Sequence, residues 1–152
     1  MTVPRRVLSA IALTAAVLAG ATVLSGCTAL TGPTDEERTA WRVWFDDTMN
    51  AGGENATGAP FSASADAAPV DVAPPRAYRA VELRCDGTDR ATFTLTYTGT
   101  GEVTTVTQEI VCHQGGTLTP IAIPTAVGDL TRFEASAASP DGEGYWVAAL
   151  QP

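Results

Sequence analysis

Residues 91–98 read Ala-Thr-Phe-Thr-Leu-Thr-Tyr-Thr. Apolar side chains alternate with threonines, which is the period of a strand with one buried and one solvent-facing side. Gly99-Thr100-Gly101 follows as a predicted hairpin turn, and residues 103–112 are predicted to return as the second strand. This hairpin predicts an antiparallel β fold and is the starting point for the rest of the chain.

The return strand contains one irregularity. Val103 is out of phase with the apolar residues that follow it, Val106, Ile110 and Cys112. An extra residue near positions 104 and 105 would restore the alternation, because a bulge shifts the side-chain phase by one. We therefore expect a β-bulge at this position.

Four more short segments predict strands around this hairpin: 79–85, 118–125, 132–138 and 145–150. Pro120 and Pro124 interrupt the second of these, which predicts an edge strand because proline cannot donate a ladder hydrogen bond. Six strands at about ten-residue spacing are typical of a small antiparallel β-sandwich or barrel. The predicted fold class is mainly β, with a small antiparallel β-sandwich over residues 77–152.

Residues 35–50 are predicted to form an amphipathic helix. Thr34 has the N-cap position, and Glu37 completes a capping box three residues later. Trp41, Trp44 and Phe45 lie on one face at helical spacing. This aromatic face has three alternative roles: packing on the sandwich, lying in the membrane interface, or binding a partner.

Two segments flank this helix with little pattern of their own. Residues 27–34 are predicted to be a polar tether. Residues 51–76 are dominated by Ala, Gly, Pro and Ser and are predicted to be a low-complexity linker. A short strand near Val70 and Val72 is the only element expected in that linker.

Residues 1–26 have the organisation of a signal peptide. Arg5 and Arg6 precede an uncharged apolar run over 7–24, and Leu24-Ser25-Gly26-Cys27 ends it. The alternative is an uncleaved transmembrane anchor, since the run approaches the length of a membrane span. The small residues before Cys27 and the polar stretch after it favour the signal peptide.

The four residues Leu24, Ser25, Gly26 and Cys27 resemble the lipobox of bacterial lipoproteins. The resemblance implies recognition of Leu24, Ser25 and Gly26 by a lipoprotein signal peptidase. It also implies cleavage before Cys27 and a diacylglyceryl group, with its palmitate-type acyl chains, on the Cys27 sulfur. Two acyl chains anchor a protein stably. The expected location is therefore the extracytoplasmic face of the cell membrane.

Two cysteines remain after Cys27, namely Cys85 and Cys112. An even pair in an exported chain predicts a disulfide bond. A metal site with the neighbouring His113 and a pair of free thiols are the alternatives. One histidine and two cysteines are too few ligands for zinc, so we expect no metal ion.

The chain has no lysine, and its nine basic residues are arginines. Arg5 and Arg6 precede Cys27, which leaves seven arginines against 17 acids and a formal charge of −10 in the mature chain. Such a charge is unsuited to nucleic acid. We expect no nucleic-acid partner.

Few residues suggest catalysis or metal binding. His113 is the one histidine and would have to be the base of any Ser-His-Asp hydrolase, but no Gly-x-Ser-x-Gly motif accompanies it. Acids cluster in two turns that could share a calcium ion: Asp86 with Asp89, and Asp141 with Glu143. Glu102 with Glu109 and Glu134 with Glu143 are candidate carboxylate pairs for glycoside hydrolysis, but nothing in the sequence sets the spacing that this chemistry requires. We expect no catalytic residue and no cofactor.

The exported part resembles small lipoproteins of high-GC Gram-positive bacteria that have Ig-like domains. The features that carry the resemblance are a Cys-Asp-Gly turn at 85–87, a threonine-rich hairpin, the second cysteine and the final Gly-Tyr-Trp-Val strand. The sequence thus predicts a membrane-anchored, non-enzymatic binding module that contacts an envelope protein. A hydrolase or accessory subunit using His113 and a surface-coat protein without a ligand are the alternatives.

Overall fold

The computed structural model describes residues 32–61, 69–112 and 119–152. Helix α1 spans Asp35–Gly52, and a short 3-10 turn, Gly53–Asn55, follows it. The strands are β1 Ala56–Pro60, β2 Val70–Arg76, β3 Ala80–Asp86, β4 Arg90–Gly99, β5 Thr104–Val111, β6 Thr119–Ala122, β7 Leu130–Ala138 and β8 Tyr145–Gln151. A second 3-10 turn, Thr125–Val127, lies between β6 and β7.

The strands form two antiparallel sheets of four strands each. The first, which we call the helix-covered sheet, has the order β1-β8-β3-β6. The second, the uncovered sheet, has the order β2-β7-β4-β5. The sheets pack together around one apolar core, so the predicted antiparallel β-sandwich is confirmed.

The alternating residues of β4 direct one side of that strand into the core. Ala91, Phe93, Leu95 and Tyr97 are all at most 1% exposed. Phe93 meets Trp146 of the opposite sheet edge-to-face, with ring centroids 5.7 Å apart. Tyr97 stacks on Phe133 of β7 at 5.5 Å. Because aromatic pairs bury large areas, the Phe93–Trp146 contact helps to hold the two sheets together, and the Tyr97–Phe133 contact stabilises the pairing of β4 with β7 within one sheet.

Strand β5 pairs with β4 in one continuous register from Val111 to Thr104, so the predicted bulge is wrong. Val103 lies before the strand begins and is 66% exposed. It is out of phase because it belongs to the turn and not to the strand. The predicted edge strand is confirmed, since β6 ends the order of the helix-covered sheet.

The range 51–76, predicted to be a linker, contains two strands among its described residues. Strand β1 pairs with β8, and β2 pairs with β7. Its sequence, Ala-Thr-Gly-Ala-Pro, makes β1 a poor strand former in isolation. Pairing with β8 and contact with α1 compensate, because strand formation depends on such neighbours. Residues 62–68 lie outside the described part.

Helix α1 begins as its sequence predicts. The Thr34 hydroxyl accepts a hydrogen bond from the backbone N–H of Glu37, and the Glu37 carboxylate accepts one from the backbone N–H of Thr34. The helix ends at Gly52, beyond the predicted end at residue 50. Gly53 follows with a φ of +57°, a backbone angle that favours glycine.

The aromatic face of α1 packs on the helix-covered sheet. The Phe45 ring lies 5.0 Å from the Tyr145 ring of β8. A β-carbon on Gly58 would lie 2.9 Å from the Phe45 ring, so this glycine permits the close approach of the helix to β1. Of the three roles considered for the aromatic face, the structure therefore supports packing on the sandwich.

Candidate functional site

An open groove of about 370 Å³ lies between the first half of α1 and the turn that precedes β8. Pockets of roughly 300–1,000 Å³ are the size that holds small ligands. The residues that line it come from the start of the described chain, the helix, the end of β1 and the turn: Pro33, Arg38, Trp41, Arg42, Pro60, Phe61, Gly142, Glu143, Gly144 and Tyr145.

Trp41 forms one aromatic wall of this groove. Its indole packs against Gly87, where a β-carbon would lie 2.9 Å from Cδ2 of the ring. Gly87 and Gly144 have φ values of +88° and +84°, which side-chain-bearing residues rarely adopt. Two tight turns therefore meet beside the indole.

Tyr145 forms a second aromatic wall. It is the first residue of β8, and the Phe45 ring packs on it. Its hydroxyl interacts with the Arg42 guanidinium and raises the pKa of Arg42 above its usual value. Asp46, one helical turn further, adds a smaller contribution in the same direction. The Arg42 guanidinium therefore lies beside the Tyr145 hydroxyl at this wall of the groove.

Arg38 and Arg42 lie one helical turn apart on the exposed side of the groove. Neither has an ion pair with a carboxylate among the described residues. The paired arginines, all elsewhere in that part of the chain, are Arg76, Arg84, Arg90 and Arg132. Arg79 also lacks an ion pair with a described acid but does not line the groove. In the described ranges, Arg38 and Arg42 are therefore the two unpaired cations that lie together at the groove, where they can bind an anion.

Glu143 supplies an acid on the opposite side. A β-carbon on Gly32 would lie 3.9 Å from Nη2 of Arg38 and 3.9 Å from Oε1 of Glu143. The backbone at Gly32 is thus flanked by opposite charges that do not form an ion pair with each other. The groove has two cations on its helix side and one carboxylate on its turn side, and Trp41 and Tyr145 also line it.

The predicted disulfide between Cys85 and Cys112 is confirmed, with Cα atoms 5.3 Å apart. Cys85 is in β3 of the helix-covered sheet, and Cys112 directly follows β5 of the uncovered sheet. The disulfide therefore joins the two sheets. The N–H of Cys112 also donates to the carbonyl of Asp89, in the turn before β4.

The two acidic turns do lie side by side, as the calcium hypothesis requires. A β-carbon on Gly87 would lie 2.5 Å from the α-carbon of Gly144. Within the described ranges, however, no three acids, histidines or cysteines gather into a metal-holding group. The carboxylate of Asp86 instead accepts a hydrogen bond from the N–H of Gly87, within its own turn.

The glutamate pairs considered for glycoside hydrolysis have other positions. Glu109 forms an ion pair with Arg90 at 2.9 Å, and Glu134 forms one with Arg132 at 3.0 Å. Glu134 lies on the outer face of the uncovered sheet, whereas Glu143 lines the groove beside α1. The body of the sandwich separates Glu134 from Glu143, so they do not form a catalytic pair.

Several predicted site residues lie outside the described ranges. These are the signal peptidase recognition residues Leu24, Ser25 and Gly26, the lipid attachment residue Cys27, and His113. Their assigned roles stay predictions. In the ranges that the structure does describe, no helix has both the length and the apolar character needed to cross a bilayer.

Sequence reasoning missed the groove. Residues 38, 41, 42 and 45 have the spacing of one helix face, which would have placed the arginines beside the aromatic stripe. The other walls, Glu143 and Tyr145, come from about a hundred residues later, and no local pattern links them to the helix. No protein-family model, no curated protein and no solved structure matches this chain.

Proposed function

We propose that this protein is a non-enzymatic binding module that a lipid on Cys27 anchors to the extracytoplasmic face of the cell membrane. The lipobox resemblance at Leu24–Cys27 supports the anchor. The disulfide Cys85–Cys112 is consistent with an oxidising compartment, where such bonds form and persist. In this proposal the groove beside α1 is the surface that contacts a ligand or an envelope partner.

The observation that carries the binding role is the combination of Arg38 and Arg42 with Trp41 and Tyr145 around one groove. In a chain whose mature part has a formal charge of −10, Arg38 and Arg42 are two of the three described arginines without an ion pair, and both line this one groove. Arginine and aromatic residues are also the types that contribute most to binding surfaces. Their position around a concave site distinguishes them from a solvated surface face.

The anchor is tested by Cys27→Ala. The wild-type chain should sediment with membranes and give, by mass spectrometry, an N-terminal peptide beginning at a lipid-modified Cys27. The variant should accumulate as an unlipidated precursor. An unmodified N-terminus on either side of Cys27 in the wild type would contradict the proposal.

The binding role is tested by replacing Arg38 and Arg42 with glutamine in the anchored chain. Cross-linked complexes are then isolated from solubilised membranes and compared with wild type and with Arg79→Gln. Arg79 is a matched control because it is exposed and has no ion pair with a described acid. It directly precedes the first residue of β3 and does not line the groove. A stoichiometric partner that is lost only in the double variant supports the groove as the contact surface. Equal recovery in all three chains counts against it.

A further inference from the structure

We propose that the groove beside α1 binds the phosphoethanolamine headgroup of a phospholipid in the membrane that anchors Cys27. The inference rests on the proposed function, because it requires the anchor. It adds a ligand class: a zwitterion with a phosphate at one end and a primary ammonium at the other. The charges around the groove are arranged in the same order.

The phosphate end fits the helix side of the groove. The guanidinium groups of Arg38 and Arg42 line the groove one helical turn apart. Guanidinium groups bind phosphate oxygens through paired, charge-assisted hydrogen bonds. Both arginines lack a carboxylate partner in the described ranges, so a phosphate does not have to displace an ion pair.

The ammonium end fits the turn side. Glu143 presents a carboxylate there, and the aromatic residues Trp41 and Tyr145 line the same groove. A carboxylate accepts hydrogen bonds from a primary ammonium, and an aromatic ring face attracts a cation within about 6 Å. A ligand with phosphate alone would leave Glu143 as a repulsive neighbour. The acid therefore favours a zwitterion over a plain anion.

The position of the groove along the chain favours a lipid as the source of this group. Gly32, at the edge of the groove, is five residues after Cys27, so extended chain spans at most about 18 Å between them. A lipid on Cys27 therefore keeps the groove within reach of the headgroup layer. A headgroup without net charge also avoids the repulsion that an anionic surface exerts on a domain with charge −10.

The experiment uses the lipidated full-length mature chain in vesicles. One set contains phosphatidylcholine only, a second adds phosphatidylethanolamine, and a third adds phosphatidylglycerol. Acrylamide quenching of tryptophan fluorescence reports whether Trp41 is covered. The same measurement on Trp41→Phe gives the contribution of Trp44 and Trp146, which is subtracted.

We expect phosphatidylethanolamine to protect Trp41 from acrylamide and the other two vesicle types to leave it accessible. Arg38→Gln and Arg42→Gln should each lower, roughly tenfold, the ratio of chains with a protected Trp41 to chains with an accessible Trp41. This is the effect expected from the loss of a charge-assisted hydrogen bond to the phosphate. Glu143→Gln should remove the preference for the primary ammonium. Arg79→Gln should behave as wild type.

Four results would overturn the inference. Equal protection by phosphatidylcholine would show that Glu143 does not bind a primary ammonium. Protection by phosphatidylglycerol alone would show a simple anion site. Protection by soluble phosphoethanolamine added to phosphatidylcholine vesicles, without an effect of the lipid, would show a soluble ligand. If no vesicle type and no soluble phosphoethanolamine protects Trp41, the groove does not bind a phosphoethanolamine headgroup.

Failure of the anchor is measured separately. Flotation of the vesicles shows whether the chain is membrane-bound, whatever the quenching result. A chain that floats but whose Trp41 is never covered contradicts the headgroup site and leaves the anchor intact. A wild-type chain that does not float contradicts the proposed function itself.

Discussion

The outer faces of the two sheets differ in what lies against them. On the helix-covered sheet, α1 packs over β1 and β8, and Val147 of β8 is only 1% exposed. On the uncovered sheet, the outer face of β4 is a row of threonines, Thr92, Thr94, Thr96 and Thr98. Thr96 hydrogen-bonds to Thr105 of β5 across this face at 3.1 Å.

The difference between the two outer faces is visible in the sequences of the strands. Strand β4 alternates because only one of its faces is buried, whereas β8 reads Tyr-Trp-Val-Ala-Ala-Leu without a polar break. The core covers Trp146, Ala148 and Leu150 of β8, and α1 covers the opposite face. A continuous apolar run in an antiparallel sandwich therefore indicates that something packs on the outer face as well.

The sharpest test of this difference introduces the same charge on each outer face. Val147→Lys places an ammonium beneath α1, beside Arg84, its cross-strand neighbour. We expect a loss of about 4 kcal/mol in the free energy of unfolding, or release of the helix, because an unpaired charge is buried. Thr94→Lys on the exposed face is the matched control and should change stability by less than about 0.5 kcal/mol. Urea denaturation measures the free energy of unfolding of both variants. Equal losses in the two variants would contradict the difference between the outer faces of the two sheets.

The next test concerns what holds the two differently covered sheets together. Replacing both Cys85 and Cys112 by alanine should lower the free energy of unfolding by about 3–4 kcal/mol. The bond closes a loop with a sequence separation of 27 residues and restricts the unfolded chain. Denaturation with and without a reductant checks this. The reductant should destabilise wild type and leave the double variant unchanged. Insensitivity of wild type would contradict a structural role for the bond.

A third prediction concerns the buried side of the uncovered sheet. The Tyr97 hydroxyl is buried without a hydrogen-bond partner among the described residues, and burial raises the pKa of Tyr97 to about 12. Since the unfolded value is about 10, the native state retains a proton that the unfolded state loses between about pH 10 and 12. Stability should therefore fall as the pH rises through that window, by up to about 2–3 kcal/mol.

Tyr97→Phe is the matched variant for this prediction. It keeps the ring that stacks on Phe133 and removes the unpaired hydroxyl. At neutral pH we expect equal or slightly higher stability, because an unsatisfied buried polar group is lost. Above about pH 10 the variant should lack the tyrosine-dependent part of the decline. Identical alkaline profiles for variant and wild type would refute the assignment to Tyr97.

The same contrast explains which parts of the fold were predictable. Alternation along β4 and the cap at Thr34 are local patterns, and both predictions are confirmed. Strand β1 was missed because Ala-Thr-Gly-Ala-Pro has no strand signal of its own and depends on β8, which follows about ninety residues later. The bulge was predicted wrongly because one exposed residue, Val103, was assigned to a strand instead of a turn.

The candidate site was less predictable than the fold for a related reason. The pairing of Cys85 with Cys112 followed from counting cysteines, and the structure confirms it. The groove needs Arg38 from α1 and Glu143 from the turn before β8. Only the packing of α1 on the helix-covered sheet brings Arg38 and Glu143 together, and no sequence pattern specifies that packing.

The smallest expected effect on stability concerns the N-terminus of α1, the helix that covers the outer face of only one sheet. Thr34→Ala removes the hydroxyl of the capping box and should lower stability by about 1 kcal/mol. Thr39→Ala is the matched control in the same helix. Its hydroxyl only donates to the Asp35 carbonyl, and alanine is a better helix former, so we expect no loss.

The effect of Thr34→Ala should also depend on pH. Hydrogen bonds from the backbone and hydroxyl of Thr34 lower the pKa of Glu37. A lowered folded-state pKa means that this contribution is present above the unfolded value, about 4.3, and is lost as the pH falls through the folded value. The difference between Thr34→Ala and wild type should therefore shrink in acid, while Thr39→Ala shows no such trend. Thermal unfolding at neutral and acidic pH measures it, and a constant difference would show that the Thr34 hydroxyl does not act through the Glu37 carboxylate.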